Sequence, residues 1–297
     1  MSKEIDFSKA MDMEIKRTPF NKKVDFVALV SVANANPNGD PLDGNRPRTD
    51  SDGFGEISDV CIKRKIRNRF QDFGESVFVQ SDDRVDDEKP TLKARIDEYS
   101  KIKSESELLS TVCNRWIDIR SFGATLTLGK GFGVDGLGVR GPVSIHMARS
   151  VDPVEIYTMQ ITKSVSWDKK EGATKGSDTM GEKHFVRYGL YVIKGSINVQ
   201  LAKKTGFSEE DAETLKKALL SLFVNDTSSA RPDGSMEVVK LYWWKHNCEN
   251  GQVSTAKVHR SVRAYLKDSV REPHSFDDYV VEVDKIPGLD PEVIEGF

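Results

Sequence analysis

KVDFVALVSVANANPNGDPLDGNRPRTD, residues 23–50, is the stretch that decides the fold. Its first part, 23–33, is rich in Val and alternates poorly between apolar and polar residues, which predicts a strand buried on both faces in the centre of a sheet. Its second part is rich in Asn, Pro, Gly and Asp, which favour turns over continuous helix or strand. Irregular loops of this length in compact domains are usually functional or disordered. The loop is therefore a candidate site.

Outward from this stretch, the periodicity of apolar residues predicts alternating helices and strands. Ser58 is the expected N-cap of the first helix, whose apolar stripe is predicted to contain Val60, Ile66, Phe70 and Phe73. Ser104 and Glu107 form a capping-box pattern ahead of a second helix. The remaining predicted elements are strands at 121–128 and 139–151, a long hairpin at 156–191, a helix at 208–223, and strands at 236–245 and 279–283.

This order is compatible with a β-α-β-β-α-β core, so the sequence predicts an α+β fold of the ferredoxin-like class, although several other α+β folds would also fit. We expect an N-terminal arm at 1–20 and a single domain at 21–297. The acidic stretch around 80–99 is read as a surface insertion.

Composition excludes several classes of protein. The chain of 297 residues has three cysteines, far apart and without a CxxC pair, so neither a disulfide framework nor a zinc site is expected. His246 and Cys248 lie two apart, but a closed metal site needs further ligands. No apolar run reaches the roughly 20 residues of a membrane-spanning helix, and residues 1–20 lack a secretory signal. We expect a cytoplasmic protein without metal or cofactor.

The charges are unevenly distributed, although the net charge is only −3. Residues 61–69, CIKRKIRNR, contain five basic residues and no acid. This helix face is either simply solvated or binds phosphates with release of counterions, and we favour phosphate binding. The candidate RNA-contacting residues are Asn36, Asn38, Arg46, Arg48, Lys63, Arg64, Lys65, Arg67, Arg140 and Arg149.

Three other motifs were weighed. Gly131, Gly133 and Gly136 spell GxGxxG, but strand-like residues follow where a dinucleotide site requires a helix. The same place resembles the start of an RNP1 motif and then lacks its stacking aromatics, which favours a glycine loop. Asp40, in the loop after the first strand, could serve as a general base or metal ligand, which leaves a metal-dependent RNA endonuclease as the rival function.

Several blocks of the chain resemble a known family, in family order. They are VSVANANPNGDPLDGNRPRTD, SDVCIKRKIRN, WIDIRSFGA, VRGPVSIHMARSVDPV, TMGEKHFVRYGLYV and GFSEEDAETLKKALLSLF. The chain is similar over about 24–245 to the type I-C Cascade backbone protein, the large RAMP-superfamily subunit of CRISPR effector complexes. Residues after Cys248 carry no matching block.

The resemblance implies a modified RRM-like palm with inserted fingers, about 74–119, and a β-hairpin thumb, about 156–191. It implies a non-catalytic subunit whose copies stack head to tail along CRISPR RNA, beside other Cascade subunits, so that the guide pairs with target DNA. The thumb would displace a guide base near Thr179, Met180 and His184. Family members that cleave RNA carry an aspartate in the loop after the first strand, but the NPNGDP context of Asp40 resembles the branch that does not cleave.

Overall fold

The structure, a computed structural model, describes residues 17–129, 131–133, 135–162 and 180–297, with only the backbone of Met180. An antiparallel sheet in the order β14-β11-β1-β10-β8-β4 forms its centre, and β7 and β9 also pair with β10. The strands are β1 Val24–Ala35, β2 Gly39–Asp40, β3 Arg46–Pro47, β4 Phe54–Ile57, β5 Gly123–Thr127, β6 Gly136–Arg140, β7 Val143–Ile145, β8 Ala148–Pro153, β9 Ile156–Thr162, β10 Met180–Ile197, β11 Met236–Lys245, β12 Val262–Leu266, β13 Tyr279–Val283 and β14 Glu292–Glu295.

Strand β1 lies between β10 and β11, and its residues from Val24 to Val32 are buried. The prediction of a central buried strand is therefore confirmed. Residues 279–283 form β13 as predicted, but the chain continues into β14, which closes the sheet beside β11. The four-residue sequence of β14, EVIE, is too short to give a clear strand pattern.

Helices pack on both sides of this sheet and in an inserted region. They are α1 Asp59–Asp72, α2 Leu92–Asp97, α3 Glu105–Arg115, α4 Ile117–Phe122, α5 Val199–Thr205, α6 Glu209–Leu220 and α7 Thr255–Ser261. Two 3₁₀ turns lie at Asp82–Arg84 and Phe276–Asp278. The caps predicted at Ser58, Ser104 and Ser208 each accept a backbone N–H of the first helical turn.

One face of the sheet is covered by α1, α5 and α6, which share a core with β1, β10 and β11. Helix α1 turns Ile62, Ile66 and Phe70 into this core. The predicted stripe was wrong at its ends, because Val60 is 66% exposed and Phe73 is 40% exposed. The spacing of four residues from Ile62 to Phe70 defines the buried face instead. Phe20, the last residue of the predicted arm, is buried here against the ring of Phe207.

The opposite face of the sheet is covered by the C-terminal segment, where α7, β12 and β13 pack on Val27, Leu29 and Leu190. A buried polar group fixes this segment to the start of β1. The Nε2–H of His246 donates to Asp25 at 2.8 Å, while His246 Nδ1 accepts the Gln252 N–H at 2.9 Å. Lys23 reaches the same carboxylate at 2.7 Å. Burial opposes ionisation of Asp25, yet these donors hold its pKa below the usual value.

A third core lies within the chain between α1 and β7. Trp116, Leu108 and Ile96 pack against β5 and β6 here, and the cluster extends from Phe78 to Val139. It includes most of the predicted fingers and continues beyond them; the assignment as fingers stays a prediction. Gly136 begins strand β6, so the GxGxxG sequence does not lead into the helix that a dinucleotide site requires.

The predicted long hairpin consists of β9 and the first part of β10, paired antiparallel from Ile156↔Val186 to Thr162↔Met180. The further part of β10 is a central strand of the sheet, so the hairpin and the core share one strand of 18 residues. The predicted hairpin tip, including Thr179, lies outside the described residues. Asn34 of β1 has a positive φ of 53°, where an Asn is tolerated better than most residues.

Candidate nucleic-acid interface

The loop after β1 is held by its own asparagines. Asn36 is 3% exposed and donates from Nδ2 to the Asn45 carbonyl at 2.6 Å. Asn38 Oδ1 accepts from both the N–H and the hydroxyl of Ser58, at 2.9 and 2.8 Å, so it ties the loop to the start of α1. Both asparagines, predicted as RNA contacts, therefore use their described hydrogen bonds inside the protein. The Asn36 Oδ1 is buried and has no partner among the residues that the structure describes.

Arg46 joins this loop to the base of the hairpin. Its Nη1 lies 3.4 Å from the Thr158 hydroxyl of β9 and 3.4 Å from His184 Nδ1 of β10. Thr158 and His184 are themselves 2.9 Å apart, and His184 is 7% exposed. A guanidinium only donates, so His184 Nδ1 must be the acceptor of the Arg46 N–H. The ring proton of the imidazole is then on Nε2, which lies 3.9 Å from the Glu182 carboxylate.

A cleft of about 100 Å³ opens where this loop and β10 meet the loop before β11. It is lined by Asn36, Gly44, Asn45, Glu182, Lys183, His184, Phe185, Ser229 and Ala230. We call it the loop–hairpin cleft. Asn36 and His184 of the predicted set line it, and Arg46, which contacts His184, remains 39% exposed.

Asp40 faces Arg48 and not a cluster of acids. Its carboxylate lies 3.4 Å from Arg48 and accepts the Leu42 N–H at 3.0 Å. Among the described residues, no three His, Cys, Asp or Glu side chains are grouped so that they could hold a metal ion. The surroundings of Asp40 thus give it a cationic partner within the loop.

The basic run of α1 is paired with acids from distant parts of the chain. Arg67 Nε donates to Asp118 at 2.8 Å, and Asp118 is fully buried. Lys65 is 3% exposed and contacts Asp226, and burial lowers its pKa. The charges of Lys65 and Arg67 are therefore paired inside the protein, and their expected phosphate contacts stay a prediction.

The other two predicted RNA contacts of the run, Lys63 and Arg64, are only partly available. Lys63 lies 2.9 Å from Asp59, one turn earlier, in a pair exposed at its acidic end. Arg64 donates to the Val79 carbonyl at 2.9 Å, and burial lowers its pKa. The run contains no acid, but Asp59 stands directly before it, and Asp118 and Asp226 reach it only through the fold.

Arg140 and Arg149 lie on other elements. Arg140 is exposed at the end of β6, and its side chain has no polar partner in the described part of the chain. Arg149 of β8 is fixed by Asp50 at 2.7 Å and lies over the Phe54 ring at 3.7 Å. Neither residue lines the loop–hairpin cleft. Met180 begins β10 opposite Thr162, and its side chain, like Thr179, lies outside the described part.

A family model for CRISPR-associated protein Cas7 matches residues 22–284. The chain belongs to the Cas7 family. A curated relative, the CRISPR-associated protein Cas7 of Haloferax volcanii, is 26% identical over 218 residues, which span 68% of this chain and 64% of that relative. The family resemblance predicted from the sequence blocks is confirmed at this level.

Two solved structures are similar to this Cas7-family chain. A chain titled "CRISPR RNA-guided surveillance complex, pre-nicking" matches with a TM-score of 0.52 and 18% identity, over 84% of both chains. Another, titled "CRISPR RNA-guided surveillance complex", has a TM-score of 0.46 and 18% identity, over 84% of this chain and 77% of that one. The first match shows a common architecture with a main antiparallel sheet; the palm, fingers and thumb stay predictions.

Sequence reasoning missed part of the candidate interface of this Cas7-family chain. Thr158 stands inside a strand and carries no signal of its role. The loop before β11 was also missed, although Ala230 accepts the Asn36 N–H at 2.8 Å and Ser229 accepts from Lys183 at 3.4 Å. Its sequence, NDTSSARPDG, is as rich in turn residues as the loop after β1. This composition was the signal that could have identified it. Among the described residues, no helix is long and apolar enough to cross a membrane.

Proposed function

We propose that this Cas7-family chain is a non-catalytic, guide-RNA-binding backbone subunit of a type I-C CRISPR surveillance complex in the cytoplasm. Copies of the chain would stack head to tail along CRISPR RNA, next to other Cascade subunits. The guide would then be presented for pairing with target DNA, so that base pairing and not the protein reads the sequence.

The observation that carries the proposal is the contact of Arg46 with Thr158 and His184. It fixes the loop after β1 to the base of a projecting hairpin, so that one cation stands between two elements that frame a cleft. A guanidinium held at a surface cleft is well suited to bind a phosphodiester. The names of the structural neighbours, which are RNA-guided complexes, agree with this partner.

The first proposed guide contacts are His184, which lines the cleft, and Arg46, which contacts His184 and is 39% exposed. Arg48, Lys63, Arg64 and Arg140 are secondary candidates. The resemblance adds Thr179 and Met180 at the hairpin tip. Asn36 and Asn38 would act by shaping the loop, since their side chains are bonded within it.

Binding is tested with the purified protein and labelled RNA of several sequences. We expect little base preference and a steep dependence on salt, with a log–log slope of about −0.7 for each phosphate contact on a single strand. Arg46→Ala should weaken binding, whereas Arg187→Ala, which removes an exposed guanidinium paired with Glu155, is the matched control. Salt-independent binding, or equal effects of both changes, would contradict the proposal.

The absence of catalysis is tested separately. Complementary RNA is incubated with the guide-loaded protein, with and without Mg²⁺, for wild type and Asp40→Ala. We expect no cleavage in any reaction, because Asp40 lies beside Arg48 and belongs to no group of three or more His, Cys, Asp or Glu side chains among the described residues. Mg²⁺-dependent cleavage that disappears in Asp40→Ala would establish the endonuclease instead.

The thumb assignment is tested by deleting residues 169–178. We expect a folded protein with a nearly unchanged melting temperature, shorter arrays on the guide in electron microscopy, and weaker target-DNA binding. The deleted segment is polar and rich in Gly, Lys and Ser, so it should contribute little to a core. Normal arrays and target binding would remove the thumb role.

A further inference from the structure

A second set of basic side chains lies on the sheet face opposite α1. In β10, Val192 packs against the C-terminal segment, and Lys194 stands two residues further along the same face. Arg149 of β8 pairs directly with Val192, so it shares this face. His146, whose N–H donates to the Lys194 carbonyl at 2.9 Å, follows β7 and is exposed.

Helix α7 adds a fourth member to this set. His259 Nε2–H donates to the Gly195 carbonyl at 3.0 Å, which brings α7 onto β10 beside Lys194. The next residue, Arg260, is exposed. We call His146, Arg149, Lys194 and Arg260 the Lys194 strip.

Two cations of the strip are uncompensated. The side chains of Lys194 and Arg260 have neither an ion pair nor a hydrogen bond within the described ranges 17–129, 131–133, 135–162 and 180–297, unlike the cations of α1. Burial lowers the pKa of His259; His146 and Lys194 add to this effect, and Asp25 and the Gly195 carbonyl oppose it. Uncompensated cations favour a polyanionic ligand.

The strip also offers flat surfaces. The Arg149 guanidinium lies over Phe54 at 3.7 Å, is held by Asp50, and stays 49% exposed on its other side. The exposed His146 ring stands edge-on to His259, with centroids 5.4 Å apart. Guanidinium and imidazole planes stack on unpaired bases, and neighbouring cations follow the phosphates of such a strand. An acidic protein would use the cations but leave these planes without a function.

We propose that the Lys194 strip binds a single-stranded nucleic acid, DNA or RNA, independently of the loop–hairpin cleft. His184 lies in the part of β10 that pairs with β9, whereas Lys194 lies ten residues further along, where β10 pairs with β1. The chain would therefore hold two strands at separate places along β10.

The test uses the full-length chain with its guide RNA bound, so that the cleft is filled. Fluorescence anisotropy measures binding of fluorescein-labelled oligo(dT), oligo(rU) and poly-glutamate, none of which pairs with the guide. We expect Lys194→Glu/Arg260→Glu to weaken oligonucleotide binding about tenfold or more and to make the log–log salt slope shallower by about 1.4, the value for two phosphate contacts. A preference between dT and rU identifies the strand.

The matched control is Lys204→Glu/Lys217→Glu, which reverses two exposed lysines of α5 and α6. This variant should bind the oligonucleotides as wild type does, and both variants should retain guide RNA and melting temperature. Undiminished oligonucleotide binding by the strip variant overturns the proposal, as does an equal loss in the control. If wild type binds poly-glutamate and the strip variant does not, the ligand of the strip is an acidic protein. If the strip variant loses its guide RNA, the strip and the cleft belong to one guide-binding site.

Discussion

The pair Arg67–Asp118 is the sharpest test of whether the basic run of α1 serves the fold or a ligand. Asp118 is fully buried and accepts three donors: Arg67 Nε at 2.8 Å, the Phe78 N–H at 2.7 Å and the Val79 N–H at 3.1 Å. Asp118→Asn keeps the shape but replaces one acceptor oxygen with a donor NH₂. At least one N–H must then face another donor, whichever way the amide is turned.

The expected loss follows from these contacts. An orphaned buried donor costs about 1–3 kcal/mol. Removing one partner from a fully buried ion pair costs about 3–5 kcal/mol, and the smaller value applies because the Arg67 side chain is 14% exposed and the change is isosteric. We expect Asp118→Asn to lower the free energy of unfolding by about 3 kcal/mol. At about 2.1 cal/mol/K of unfolding entropy per residue, this lowers the Tm of the 297-residue chain by roughly 5 °C.

Urea denaturation followed by tryptophan fluorescence measures this loss, and differential scanning fluorimetry measures Tm. The matched control is Asp59→Asn, which removes the exposed i,i+4 partner of Lys63 and should cost less than about 1 kcal/mol. The reasoning fails if Asp118→Asn is as stable as this control. It also fails if RNA binding collapses in Asp118→Asn at unchanged stability, since the run would then act on the ligand.

Three further outcomes are expected. Lys65→Met should cost about 1–3 kcal/mol in urea unfolding because Asp226 loses a buried donor; an unchanged midpoint would contradict this. Asp25→Asn should make the loss of stability in acid less steep. The pKa of Asp25 is lowered in the folded state, so its contribution to stability is present above the unfolded pKa, near 3.8, and is lost as pH falls through the folded pKa. A pH profile of stability parallel to that of wild type would argue against this. Thr18 donates to Glu210 from its N–H and its hydroxyl and helps to lower the pKa of Glu210 to about 2. Glu210→Gln should remove a contribution to stability that wild type loses only as pH falls from about 4.5 toward 2. Hydrogen exchange at Thr18 near neutral pH should then be faster in the variant, and equal exchange rates would exclude this contribution.

Local rules sufficed for those parts of the fold where one segment carries the whole signal. The Val-rich run of β1, the caps at Ser58 and Ser208, and the turn-rich loop after β1 were all predicted because burial, capping and turn formation depend on near neighbours. The blocks around the loop also identified the family. Strand β14 was missed, because a segment of only four residues, Glu292–Glu295, becomes a strand only when it pairs with the edge of β11.

The candidate site was harder to predict because its determinants are contacts between distant residues. Lys65 and Arg67 look available in sequence, yet Asp226 and Asp118 stand far along the chain and meet them only after folding. Conversely, Thr158 looks like an ordinary strand residue and becomes a partner of Arg46 through the approach of the hairpin to the loop. Charge patterns within a segment do not reveal such pairing.

Strand β10 has a mechanical consequence. It runs without interruption through 18 residues, first beside β9 in the hairpin and then between β1 and β8 in the sheet. A force on the hairpin is therefore transmitted along β10 and acts as shear on the β1–β10 hydrogen bonds. In the described part of β10, no hinge separates the hairpin from the central sheet. Backbone amides should reflect this as a gradient, exchanging fastest near Met180 and only through global unfolding near Ile193.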